Sequence, residues 1–145
     1  MEFVSKTYEE LTKRELYEIL KARAEIFVVE QECIYQDLDD IDFISRHVFY
    51  RKDQKVLGYL RVFYKPDEEN TVQMGRVLTL KHETGLGGKL LLAGIEEVRE
   101  KMPCRKIVLP AQSHAIGYYE RYGFHIVSDE FIEDEIPHVW MEREL

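Results

Sequence analysis

The chain has 145 residues, 45% of them hydrophobic and 33% charged. That is the length of one domain, with enough core to fold without a disulfide or metal staple. Lys and Arg number 20 against 28 Asp and Glu, a net charge of −8. That balance excludes general affinity for nucleic acid or an anionic membrane, since both need clustered cations. An anionic cofactor held by local polarity and a cationic amine substrate remain compatible with it. Cys33 and Cys104 make no disulfide framework. Residues 1–10 carry Glu2, Glu9 and Glu10 and no apolar secretory core. No stretch reaches the roughly eighteen apolar residues of a membrane span. The expectation is a cytoplasmic protein with reduced thiols.

In chain order, Thr12-Lys13-Arg14-Glu15 reads as a capping box, with Leu16, Ile19, Leu20 and Phe27 at helical spacing behind it. This predicts a helix over about residues 12–26. Residues 30–42 hold six acids and no base, and read as an acidic, solvated loop with a short helical turn. His47–Arg51 and Val56–Tyr64 read as strands joined by a tight turn at Asp53-Gln54-Lys55. Val72–Leu80 is a third strand, in which Gly75 marks a bulge or a close approach. Lys81–Gly85 is a loop, and a helix begins at Leu86 and ends at Pro103. Its buried side is Leu90, Leu91, Ala93, Ile95 and Val98. Lys106–Leu109 is a strand that stops at Pro110, and Ser113–Tyr122 a short helix closed by left-handed Gly123. Phe124–Ser128 and His138–Arg143 are strands split by the acidic turn Asp129–Glu135. The unit over 72–109 implies parallel neighbours and a right-handed crossover.

The chemistry concentrates where the third strand runs into Gly85-Leu86-Gly87-Gly88 and on into a helix. Such a turn leaves backbone N–H groups unpaired at the positive end of a helix dipole, a site suited to a pyrophosphate. A phosphate loop of the Walker type needs Ser or Thr after Gly88-Lys89, and Leu90 stands there. A dinucleotide fingerprint needs a third Gly, and Leu90 fills that place too. Both nucleotide readings fail on that residue.

The segment His82-Glu83-Thr84-Gly85-Leu86-Gly87 resembles the Arg/Gln-x-x-Gly-x-Gly/Ala pattern of the Gcn5-related N-acetyltransferase (GNAT) family. His82 departs from the first position, and Glu83 is expected to face solvent. Gln112-Ser113-His114-Ala115-Ile116-Gly117-Tyr118-Tyr119-Glu120-Arg121-Tyr122-Gly123-Phe124 is similar to the later cofactor motif of that family, with Gln112 in an Asn position. Arg23, Phe27–Gln31, Cys33, Tyr35, Asp37, Asp39, Asp42, His47 and Ile136-Pro137-His138 resemble its small bacterial ElaA-like subgroup. The resemblance covers nearly the whole chain. It implies one domain over residues 1–145 with the GNAT acyl-CoA N-acyltransferase fold: a mixed, twisted sheet flanked by helices, whose strands 72–80 and 106–110 splay at their C-terminal ends.

It also implies acetyl-CoA as the acyl-donor co-substrate, with no metal. Amides from Thr84, Gly85, Leu86, Gly87, Gly88 and Lys89 would hold its pyrophosphate. Main-chain groups of Val77, Leu78 and Thr79 would pair with the pantetheine arm as an added strand, and Gln112 would join the cofactor loop. Tyr119 would protonate the departing thiolate, against the bland reading of a core aromatic. Glu30, His47, His114 and His138 are the candidate bases; each has an equally ordinary structural reading, and His114 would otherwise order the loop beside Gln112. The acidic run would otherwise form an electronegative mouth for a cationic amine. A Cys33/Asp37/His47 metal site matches no ligand spacing. The cysteines read as buried thiols and Trp140 as a packing residue. The implied function is N-acetyl transfer to a small-molecule or peptide amine by direct attack, in a family where dimers are frequent. The alternative is a non-catalytic acyl-CoA sensor.

Overall fold

A computed structural model describes residues 1–32, 35–80 and 85–145. Strand β1 (Glu2–Thr7) precedes helix α1 (Lys13–Arg23), which runs directly into a π-helical segment, Ala24–Glu30. A 3₁₀ turn (Ile41–Ile44) leads to β2 (Arg46–Lys52), β3 (Lys55–Tyr64) and β4 (Thr71–Thr79). Helix α2 (Leu86–Lys101) crosses to β5 (Lys106–Gln112), followed by a 3₁₀ turn (Ser113–Ala115), α3 (Ile116–Glu120), β6 (His125–Ile126), β7 (Phe131–Glu133) and β8 (Ile136–Glu144). The sheet order is β1-β2-β3-β4-β5-β8-β6, with β7 paired to β8. Among the described residues only β4 and β5 are parallel; the other pairings are antiparallel. Among the described residues no helix is long and apolar enough to cross a membrane.

Strand alternation loads both faces of this sheet. Leu60, Val62, Val72 and Met74 pack with Leu90, Leu91, Ile95 and Val98 of α2. Phe49, Tyr59 and Leu78 instead pack with Ile19, Ala22 and Ile26 of the first helical segment. Successive side chains such as Tyr59 and Leu60 point to opposite faces, so the sheet is sandwiched between the two helices. α1 starts where expected: Thr12 accepts from the Glu15 amide at 3.0 Å, and Glu15 accepts from the Thr12 amide at 2.8 Å. The β2–β3 turn is made by Asp53 and Gln54, both left-handed.

Four expectations change. Residues 2–7 are an edge strand beside β2. β5 does not stop at Pro110 but continues to Gln112, paired with β8. Pro110 fits because β4 pairs with β5 only as far as Val108, so the ring takes no donor from a two-sided ladder. The turn at 129–135 contains β7.

The acidic run is the largest correction. Asp37 and Asp42 are buried rather than solvated, and their partners are arginines distant in sequence. Arg23, fully buried, donates from Nε to Asp37 at 2.9 Å and from Nη1 to Asp42 at 2.6 Å. Arg61 donates to Asp42 at 3.0 Å and to both oxygens of Asp39, at 2.6 and 2.8 Å. Arg76 donates to Asp37 at 2.8 Å. Burial pushes the Asp42 carboxyl up, but Arg23 and Arg61 outweigh it and hold it below the usual carboxylate range. Three arginines therefore neutralise the three aspartates, and these acids do not form a free electronegative mouth.

Candidate active site

β4 and β5 pair over three residues only, Thr71–Gln73 against Lys106–Val108, and then part. Beyond that point β5 is held by β8 alone. A cleft of about 540 Å³ opens between the separated C-terminal ends. This is where ligands bind in sheets with parallel strands.

A bulge shapes the β4 wall. Arg61 pairs with Gly75 and Tyr59 with Leu78, so Arg76 and Val77 together face Leu60. Arg76 carries the strain with φ +52°, and its guanidinium is tied to the Asp37 carboxylate and carbonyl. The predicted irregularity at Gly75 thus falls on the next residue. After the bulge, the Leu80 amide donates to Leu57 on β3 at 2.9 Å. Strand alternation then turns the Leu78 main chain toward Tyr59, and those of Val77 and Thr79 toward the open edge. Leu78, expected to offer main-chain groups to a ligand, instead spends them on β3 and buries its side chain in the core.

Helix α2 presents its N-terminus to this cleft, with Gly87 on the cleft wall. Gly85 caps it in the left-handed conformation at φ +74°. The Lys89 amide donates to the Gly85 carbonyl at 3.5 Å, the first intrahelical bond, so it leaves the set of ligand donors expected from the sequence. Its ammonium lies 4.9 Å above the Tyr50 ring centre. Thr84, with Lys81, His82 and Glu83, lies outside the described residues, as does Cys33.

Gly87 and Gly88 have a second use that the motif did not reveal. A Cβ on Gly87 would sit 2.9 Å from Tyr118 Oη, and one on Gly88 would collide with Tyr122 Oη, 3.2 Å from its Cζ. Gly88→Ala should therefore cost about 1–3 kcal/mol by overpacking. In a Tyr122→Phe background most of that cost should vanish. Urea denaturation of the four proteins reads this coupling; an equal effect of Gly88→Ala in both backgrounds contradicts it.

The opposite wall carries the tyrosines. Tyr119 packs edge-on to Tyr118 and Phe124, with ring centres 5.3 and 5.9 Å away. Burial, with Tyr118 beside it, holds the Tyr119 phenol protonated far above its ordinary range. Burial pushes Tyr118 up to about 12. Both line the cleft, as do Val77, Leu78, Thr79, Gln112, Glu30 and His114. Glu30 ends the π-helical segment, a deformation common at functional sites, and the neighbouring Gln31 donates across the cleft to Gln112 Oε1 at 3.5 Å.

His47 leaves the candidate bases. Its Nε2 lies 2.9 Å from the Asp42 carbonyl, which can only accept, so Nδ1 accepts from Tyr59 Oη at 2.6 Å. Burial lowers its pKa and keeps it neutral, with both nitrogens engaged. Among the described residues no group of three His, Cys, Asp or Glu could hold a metal ion. Cys104 is half-buried, and Trp140 stacks on Phe131.

Comparison with known proteins gives this cleft its context. The family described as "Acetyltransferase (GNAT) domain" matches residues 6–145. A UPF0039 protein of Schizosaccharomyces pombe is 38% identical, covering 100% of this chain and 98% of its own. Protein ElaA of Escherichia coli is 34% identical over 95% of this chain and 93% of its own. The crystal structure of E. coli ElaA superposes with a TM-score of 0.92 at 32% identity, covering 99% of both chains. That of an acyl-CoA N-acyltransferase from Pseudomonas aeruginosa gives 0.90 at 36% identity and the same coverage. On these matches, and on a sheet split beside a glycine-started helix, the chain belongs to the GNAT acetyltransferase family.

Proposed function

We propose that this protein, as one domain over residues 1–145, transfers an acetyl group from acetyl-CoA to a primary amine while both are bound. The single observation carrying this reading is the gap between β4 and β5, open on the edge where Val77 and Thr79 turn their main-chain groups and bordered by the N-terminus of α2. A pantetheine arm is a chain of amides, so it pairs with that edge as an added strand would. The amides of Gly85, Gly87 and Gly88 meet the pyrophosphate at the positive end of α2. Gln112, engaged with Gln31, closes the cleft around the arm. A Val77 or Thr79 N–H supports the oxyanion that forms on the thioester carbonyl.

The acceptor is a small-molecule or peptide amine entering on the side of Glu30 and His114, both on the exposed rim. Its nitrogen attacks the thioester carbon and the carbon–sulfur bond breaks. Tyr119, half-buried and kept protonated, hands its proton to the leaving thiolate. Glu30 and His114 pass the proton lost by the amine on to water. The reaction belongs in the cytoplasm, where acetyl-CoA is supplied.

The test is release of free thiol from acetyl-CoA in the presence of a panel of primary amines and lysine peptides. Amine-dependent release with formation of the N-acetyl product is the expected result. Tight binding of acetyl-CoA with no release to any amine contradicts the reading and leaves a sensor of acyl-CoA.

A further inference from the structure

The same cleft holds a histidine whose geometry is unlike that of His47. His138 is 7% exposed, at the start of β8 opposite Gln112 of β5, and it lines the cleft. Its Nδ1 lies 2.7 Å from the Ile136 carbonyl. A carbonyl only accepts, so Nδ1 carries the proton, and in the neutral ring the basic lone pair belongs to Nε2. Phe131 stacks on the imidazole, ring centres 5.9 Å apart, and fixes its plane. Glu133, across the β7–β8 turn, places a carboxylate oxygen 3.9 Å from that Nε2.

We infer that His138 is the general base that takes the proton from the acceptor amine, with Glu133 as the positioning residue that receives the imidazolium charge. This rests on the transferase reading above and assigns its first proton acceptor. The order of events balances. The substrate ammonium gives one proton to His138 Nε2. The freed nitrogen pair attacks the thioester carbon, and the carbonyl electrons move onto oxygen. The oxyanion collapses, the carbon–sulfur bond breaks, and the thiolate takes the Tyr119 proton. The second proton on nitrogen returns to Tyr119, and the proton on His138 leaves by way of Glu30 and His114 to water. The products are the N-acetyl amine, coenzyme A and one released proton.

The charged and titratable groups that line the cleft with His138 come from several elements. Glu133 and Asp134 lie on its own hairpin, Glu30 ends the π-helical segment, and His114 sits in the 3₁₀ turn after β5. Arg61 and Arg76 also reach the cleft, but both are bound to the aspartates of the 35–42 loop.

The test uses His138→Asn, whose side-chain amide can still donate to the Ile136 carbonyl. With acetyl-CoA as donor, thiol release above the uncatalysed rate is measured with ethylamine, which is protonated at neutral pH, and with hydroxylamine, which is not. The expected result is a loss of about 10²–10⁴-fold with ethylamine and near-normal release with hydroxylamine. Stabilisation by coenzyme A should be unchanged. Retained ethylamine turnover overturns the assignment, as does an equal loss with both nucleophiles, which marks a structural role. Glu133→Gln, at an exposed position, is the second variant. It should move the acid limb of the kcat/KM profile to lower pH, and an unmoved limb overturns the role of Glu133. Absence of release from the unmodified protein with either nucleophile, despite coenzyme A binding, overturns the transferase reading itself and this inference with it.

Discussion

Replacing Arg23 with Met should lower the unfolding free energy by about 3–5 kcal/mol, the usual cost of removing one partner from a buried ion pair. Arg23 is fully buried at the end of α1 and binds two different aspartates, together with the Asp37 carbonyl at 3.1 Å. Met fills most of the same volume, so the loss reports the charge and its hydrogen bonds rather than a cavity. Asp37 and Asp42 would keep Arg76 and Arg61, which limits the damage to the lower part of that range. The consequence extends to the cleft: Asp37 also holds Arg76, and Arg76 is the strained residue of the β4 bulge. The variant should therefore bind coenzyme A more weakly as well. Urea denaturation with an unchanged slope checks the first effect and calorimetric titration the second. A loss below about 1 kcal/mol would mean that the aspartates are not dependent on Arg23.

Tyr119→Phe should reduce the maximal rate of amine-dependent thiol release by about 10²-fold, the lower end for general acid catalysis. The lower end applies because a thiolate is already a good leaving group. The ring remains, so its edge-on packing against Tyr118 and Phe124 survives and stability should change little. Coenzyme A affinity should stay near its original value, because only the hydroxyl is lost. A pH–rate profile separates this from general weakening: the phenol titrates far above neutrality in the intact protein, so the loss should persist across the neutral range. An unchanged maximal rate would remove Tyr119 from the reaction.

Local signals in the sequence were readable where they act over a few residues. The capping box at Thr12, the left-handed Asp53-Gln54 turn and the α2 boundaries all lie in the segments where they were expected. The parallel β4–β5 pair followed from the strand–helix–strand order. The acidic run was misread because its partners are 14 to 39 residues away in sequence, and a charge without a visible partner looks like a surface. β1 escaped notice because only Val4 of its six residues is buried. The π-helical segment has no sequence signature distinct from an α-helix, since both leave similar apolar spacing. Gly87 and Gly88 were read as room for a ligand, whereas their missing Cβ atoms also make room for Tyr118 and Tyr122. His47 and His138 were indistinguishable as isolated letters: each gives one ring N–H to a carbonyl, and only the Tyr59 hydroxyl on Nδ1 of His47 marks that imidazole as spent.

Amide hydrogen exchange with and without coenzyme A tests the proposed cleft most directly. A second, larger depression of about 760 Å³ lies between Lys6, Glu15 and Arg51, far around the sheet beside β1 and β2, and serves as the internal contrast. The predicted result is new protection at Val77, Thr79 and Gly85–Gly88 alone. Protection confined to the Lys6–Arg51 side, or none at Val77 and Thr79 when coenzyme A is bound, would contradict the account.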